Sequence, residues 1–132
     1  MDAICLVVAG MLRATLPTQD FTLAWRHSVE KTRWEERYRV DGADLVLIEA
    51  RIEGSGAGME APPEAAFDKG VWSWKPQRVM HELTLTHSTF TADYTVCWRQ
   101  QCRTLAELTG ASAEGSAVTM RPCRPGDGAQ PR

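Results

Sequence analysis

Short runs that alternate apolar and polar residues, broken by turn signals, recur along this chain, and no stretch sustains a helical period. The clearest run is Phe21–Val40, "FTLAWRHSVEKTRWEERYRV". Side chains in a strand point alternately to opposite faces, so Phe21, Leu23, Trp25, His27 and Val29 share one side. Trp34, Glu36, Tyr38 and Val40 share a side on the returning arm. Taking Glu30-Lys31-Thr32-Arg33 as a four-residue turn sets Val29 opposite Trp34, His27 opposite Glu36, Trp25 opposite Tyr38 and Leu23 opposite Val40. That register gathers the large apolar groups on one face and leaves Arg26, Ser28, Glu35, Arg37 and Arg39 to solvent.

Further strands are expected at Ile4–Ala9, Met11–Leu16, Ala43–Glu53, Val71–Trp74, Val79–His87, Tyr94–Trp98 and Ser116–Arg121, with Cys102–Leu108 either a strand or a short helix. In Ala43–Glu53 the alternation points Val46, Ile48, Ala50 and Ile52 one way, although Leu45 and Leu47 make the other face partly apolar. About eight short antiparallel strands imply an all-β fold, a small β-barrel or β-sandwich. With 132 residues, one β domain over 1–125 and a flexible tail over 126–132 are expected.

A formal charge of −2 and a pI near 5.9 do not suit a nucleic-acid binder, which needs a basic face. The N-terminal apolar run is too short to span a bilayer, and Asp2 precedes it where an export signal carries positive charge. It reads as a buried first strand, with an export signal or anchor of which the true start is missing as the alternative, and with no export signal evident the cytoplasm is the default compartment. The extracytoplasmic face of the inner membrane is the alternative, with peripheral membrane association.

Four cysteines suit either redox state. Cys97 and Cys102 bracket four residues and would face each other across a hairpin closely enough for a disulfide. Cys5 and Cys123 can pair only if the two ends of the chain meet. Four small buried thiols are the expectation for a chain without an export signal. The cysteine spacings match no zinc pattern, and neither a metal nor a cofactor is expected.

The candidate ligand-binding residues are His27, Glu36, Ser28, Glu30, Gly56, Gly58 and Met59, centred on the His27–Glu36 pair with Trp25, Trp34 and Tyr38 flanking it. Ionisable groups on an apolar face are costly unless paired. A cross-strand pair serves either as a structural hydrogen bond or as the polar heart of a pocket for a small polar or anionic ligand. A metal site would need more ligands, such as Glu30 or His87, and acid–base catalysis lacks a nucleophile. Ser28 points away from His27. The loop Gly54-Ser55-Gly56-Ala57-Gly58-Met59 lacks the lysine of a phosphate-binding loop, but Gly56, Gly58 and Met59 could close over a site. Trp72 and Trp74 share a strand face and could line a pocket or cap the barrel, with core packing the expectation, and His81 is expected on the surface without a partner.

"FTLAWRHSVEKTRWEERYRV" followed by "LVLIEARIEGSGAGMEAPPEA", and then "TADYTVCW" with Cys102 beyond, resembles the bacterial domain-of-unknown-function family 1850, from about Cys5 to Cys123. By that resemblance His27, Ser28, Glu36, Gly58 and Met59 fall on the family's motif positions. Members are often encoded beside TRAP-type solute importers with TAXI-type receptors. This implies an accessory or ligand-binding role around such a transporter, its subunits or their solute, with no catalytic assignment. Some Gram-positive relatives carry a membrane anchor ahead of the strand matching Ile4–Ala9, and this chain begins almost at that strand. A small hydrolase or metal-dependent enzyme using His27 and Glu36, and a structural interaction domain for a membrane permease, are the alternatives.

Overall fold

The computed structural model describes residues 2–26, 32–53, 61–86, 94–110 and 117–124. Its elements are β1 (Ala3–Val8), β2 (Met11–Leu16), β3 (Asp20–Arg26), β4 (Arg33–Asp41), β5 (Asp44–Glu53), β6 (Ala66–Asp68), β7 (Val71–Trp74), β8 (Arg78–Met80), β9 (Leu83–Thr86), β10 (Thr95–Trp98), β11 (Gln101–Thr104), α1 (Leu105–Thr109) and β12 (Ala117–Cys123). Two antiparallel sheets form, and they stack as a sandwich rather than closing into a barrel. The smaller runs β2-β1-β12-β9; the larger runs β11-β10-β3-β4-β5-β7-β6, with β8 also on β5.

The core lies between the sheets. Ile4, Leu6, Val8, Leu16, Val118 and Met120 of the small sheet meet Phe21, Leu23, Tyr38, Val40, Leu45, Leu47 and Val96 of the large one. Alternation selects these residues, since every second side chain must leave water on a sheet covered on one face. In β5 the alternation breaks once. Arg37 pairs with Glu49 but Tyr38 pairs with Leu47, so Ile48 is an extra residue. This bulge puts Ala50 and Ile52 on the same inner face as Leu45 and Leu47. The expectation that Val46, Ile48, Ala50 and Ile52 share one face is therefore corrected, and the apolar second face of β5 is explained.

Other expectations shift locally. The strand expected over Val79–His87 is two strands in different sheets, β8 on β5 and β9 on β12. The ambiguous Cys102–Leu108 is both: strand β11, then α1. Thr104 starts α1 by accepting a hydrogen bond from the Glu107 amide, while the Glu107 carboxylate accepts from the Thr104 amide at 2.8 Å. Gly110 ends it at φ 68°, a conformation glycine adopts without a Cβ clash. Asp44 receives a 2.6 Å hydrogen bond from exposed His81, which therefore has a partner after all.

All four cysteines are in disulfides, Cys5–Cys123 and Cys97–Cys102, which overturns the expectation of buried thiols. The first and last strands do meet, as β1 pairs with β12 and Ala3 lies opposite Cys123. Cys97 and Cys102 lie directly opposite each other, and the hairpin turn is only Arg99-Gln100, shorter than the four residues the sequence suggested. Among the described residues, no helix is long and apolar enough to cross a membrane.

Candidate functional site

β3 and β4 build the site, and their register differs from the expected one. Glu36 lies opposite Leu23, Trp34 opposite Trp25, and Tyr38 opposite Phe21. The partner of Glu36 thus moves four residues along β3, from His27 to Leu23. An even shift leaves every side chain on its expected face, so alternation alone does not distinguish the two registers. Aromatic pairing does favour the observed one. Trp25 and Trp34 stack with centroids 5.8 Å apart, and Phe21 and Tyr38 stack at 5.2 Å. Each such contact adds about 0.5–1.5 kcal/mol beyond area burial. The directly opposed His27–Glu36 pair is accordingly corrected for Glu36. His27, Ser28, Glu30, Gly56, Gly58 and Met59 lie outside the described residues, as does His87.

The inner face of the large sheet carries its aromatic residues in order. One row crosses from Tyr94 through Trp25, Trp34, Ile52 and Trp72 to Phe67. Tyr94 meets Trp25 edge-on at 5.5 Å, and Phe67 packs on Trp72 at 4.7 Å. The next row is Val96, Leu23, Glu36, Ala50 and Trp74. A carboxylate therefore stands in an otherwise apolar row, beside the aromatic one. Towards the small sheet the following row, Phe21, Tyr38 and Leu47, is sealed in the core. Trp25, Trp34, Trp72, Trp74 and Glu36 are only half-buried. The site is thus the end of the large sheet's inner face that lies beyond the main core.

Glu36 is held by its own strand. The Tyr38 hydroxyl donates to Glu36 Oε1 at 2.7 Å, an i, i+2 contact on one strand face. Burial, and then the charge and hydrogen bond of Glu36, push the Tyr38 phenol far above its ordinary pKa, so it remains a donor. Two neutral polar atoms at the start of β4, one on the residue just before it and one within it, are less well served. Among the described residues, Thr32 Oγ1 and Trp34 Nε1 are buried without a hydrogen-bond partner, and Thr32 is only 1% exposed. Leaving such a group unsatisfied costs about 1–3 kcal/mol. Two of them within three residues, next to a half-buried carboxylate, give this end an unused capacity for hydrogen bonding.

The outer face of the large sheet offers a contrast. There Asp20 opposes Arg39, Arg37 opposes Glu49, Glu35 opposes Arg51 and Arg33 opposes Glu53. Two depressions open on it, about 280 Å³ lined by Thr22, Glu35, Arg37, Glu49 and Arg51, and about 200 Å³ running from Asp20 to Gln100. Opposite charges facing each other in water need no ligand to explain them, and each pair contributes about 0.2–1 kcal/mol. The inner face is therefore the stronger candidate.

Among the described residues, no three His, Cys, Asp or Glu side chains cluster as metal ligands. Thr32 reads as part of a turn in the sequence, and nothing there joins Tyr94 and Phe67 to the aromatic row, whereas Trp72 and Trp74 are legible as sharing a strand face. The row could have been found by aligning the aromatic positions of the strands, since each occurs one or two residues from a strand end.

A family model described as "Domain of unknown function (DUF1850)" matches residues 21–105. No curated protein and no solved structure matched the chain. The matched segment runs from β3 to the start of α1, holds Glu36 and the whole aromatic row, and covers more than half of the sequence, so the chain belongs to the DUF1850 family.

Proposed function

We propose that this protein is a non-enzymatic, ligand-binding accessory module of a TRAP-type (TAXI) solute import system. One observation carries the reading. Glu36 stands on the inner face beside stacked Trp25 and Trp34, while Thr32 Oγ1 and Trp34 Nε1 are buried with their hydrogen-bonding capacity unused. A mainly apolar surface with a few convergent polar groups is the usual composition of a small-molecule site. The transporter link rests on the family resemblance, whose match spans these residues. The two disulfides favour the extracytoplasmic alternative over the cytoplasmic default, because such bonds persist in oxidising compartments.

A thermal-shift screen of small carboxylates, sugars and organic amines tests the binding role. A ligand present at a hundred times its Kd stabilises the folded state by about 2.7 kcal/mol, which raises Tm by several degrees. Thr32→Val should stabilise the free protein by about 1 kcal/mol, by removing the orphaned hydroxyl, and should reduce the ligand's effect. A screen with no stabilising solute, or a Thr32→Val variant less stable than wild type, contradicts the reading.

A further inference from the structure

We propose that the ligand of this site carries an ammonium or guanidinium group, seated between the Glu36 carboxylate and the faces of the neighbouring tryptophans. This names the ligand class for the site proposed above and rests on that reading.

Among the described residues, Glu36 has one carboxylate oxygen engaged and one open. The Tyr38 hydroxyl occupies its Oε1, and among the described residues Oε2 has no hydrogen-bond partner and the carboxylate enters no ion pair. Trp34 precedes it by two residues on the same face, about 7 Å along the strand. Trp25 stacks on Trp34, and Trp74 lies two strands away in the same row as Glu36. Aromatic faces carry negative electrostatic potential and attract cations within about 6 Å of the ring centre. The carboxylate and the rings therefore select the same sign of charge. A carboxylate or phosphate ligand would meet repulsion from both, in surroundings where screening by water is reduced.

Neighbouring charges do not reverse this preference. Arg78, opposite Leu47 in the next row, acts on Tyr38 but is exposed to solvent. The other arginines of β4 and β5 (Arg33, Arg37, Arg39 and Arg51) belong to the outer face. Trp34 Nε1 is a donor, and Thr32 Oγ1 can donate or accept. They suit an oxygen beside the cation, so the expected ligand is a small organic cation with an adjacent hydroxyl, carbonyl or ether oxygen.

Calorimetric titration with matched probes tests the charge preference. Choline and agmatine supply the ammonium and guanidinium groups. The neutral 3,3-dimethyl-1-butanol reproduces choline's shape, and glutarate supplies the opposite charge. At least one cation should bind about tenfold or more tightly than both the neutral isostere and glutarate. Glu36→Gln keeps a neutral acceptor for Tyr38 and should remain folded, with a melting temperature within a few degrees of wild type, yet weaken cation binding about tenfold. Equal or tighter binding of the neutral or anionic probe overturns the inference, as does unchanged cation affinity in Glu36→Gln. If solutes from the thermal screen bind but neither cation does, the charge assignment fails and the site stands. If no solute of any class binds, both fall.

Discussion

At the residue scale, Tyr38 and Glu36 form the hydrogen bond that organises the site. Tyr38 is 2% exposed and donates to a carboxylate on its own strand. Its pKa is raised by burial and then by Glu36, so the folded state holds the phenolic proton more tightly than the unfolded chain does. The stability this contributes is complete below the unfolded value of about 10 and is lost as pH rises above it. Urea unfolding between pH 8 and 12 should therefore show a steeper alkaline decline for wild type than for Tyr38→Phe. At pH 7 the variant should be less stable by about 1–2 kcal/mol, through loss of a hydrogen bond to a charged group. Equal alkaline slopes would mean that the hydroxyl is not held as described.

At the element scale, the hairpin of β10 and β11 turns on Arg99 and Gln100, with φ of 47° and 66°. These left-handed conformations match the twist of a two-residue hairpin but strain residues with a Cβ. The Cys97–Cys102 bond lies next to the turn. Replacing Arg99-Gln100 with Asn-Gly should stabilise the protein by about 1 kcal/mol, measured by chemical denaturation, and a loss of stability would argue against this turn. The same elements show what a sequence reading reaches. Alternation placed most strands within a residue or two, because a one-residue error moves a whole apolar face into water. It did not set the β3–β4 register, since shifts by two or four residues keep Trp25, Leu23, Trp34 and Glu36 on the same faces. Nor could it locate the bulge at Ile48, where inserting one residue lets two different apolar faces of the sequence become one face of the sheet. Glu36 and its flanking aromatics were legible for the first reason. The hidden hydroxyl of Thr32 was not, because a threonine near a turn gives no signal of burial.

At the scale of the whole molecule, the two disulfides close loops of very different length. Cys5 and Cys123 are 118 residues apart, and they tie β1 to β12 at the ends of the chain; Cys97 and Cys102 are five apart. In the chain-entropy account the long closure contributes about 5 kcal/mol and the short one about 2 kcal/mol. Replacing Cys5 and Cys123 with serine should therefore lower denaturation stability more than the same change at Cys97 and Cys102. Reductant should lower Tm in the wild type. Equal losses from the two pairs, or a Tm indifferent to reductant, would contradict the contribution assigned to the terminal bond. The sandwich also explains the position of the site: the small sheet seals the Tyr38 row, while the aromatic row extends beyond the main core.

The most direct test of that site follows the five tryptophan indole N–H signals by nuclear magnetic resonance while solutes are added. Among the described residues Trp34 Nε1 is buried without a partner, and Trp25 stacks on its ring. Trp98 lies in the main core. A binding solute should move the Trp34 indole signal most, Trp25 with it, and Trp98 little, and Glu36→Gln should weaken the response. Binding that leaves the Trp34 signal in place, or that moves Trp98 instead, would contradict this site.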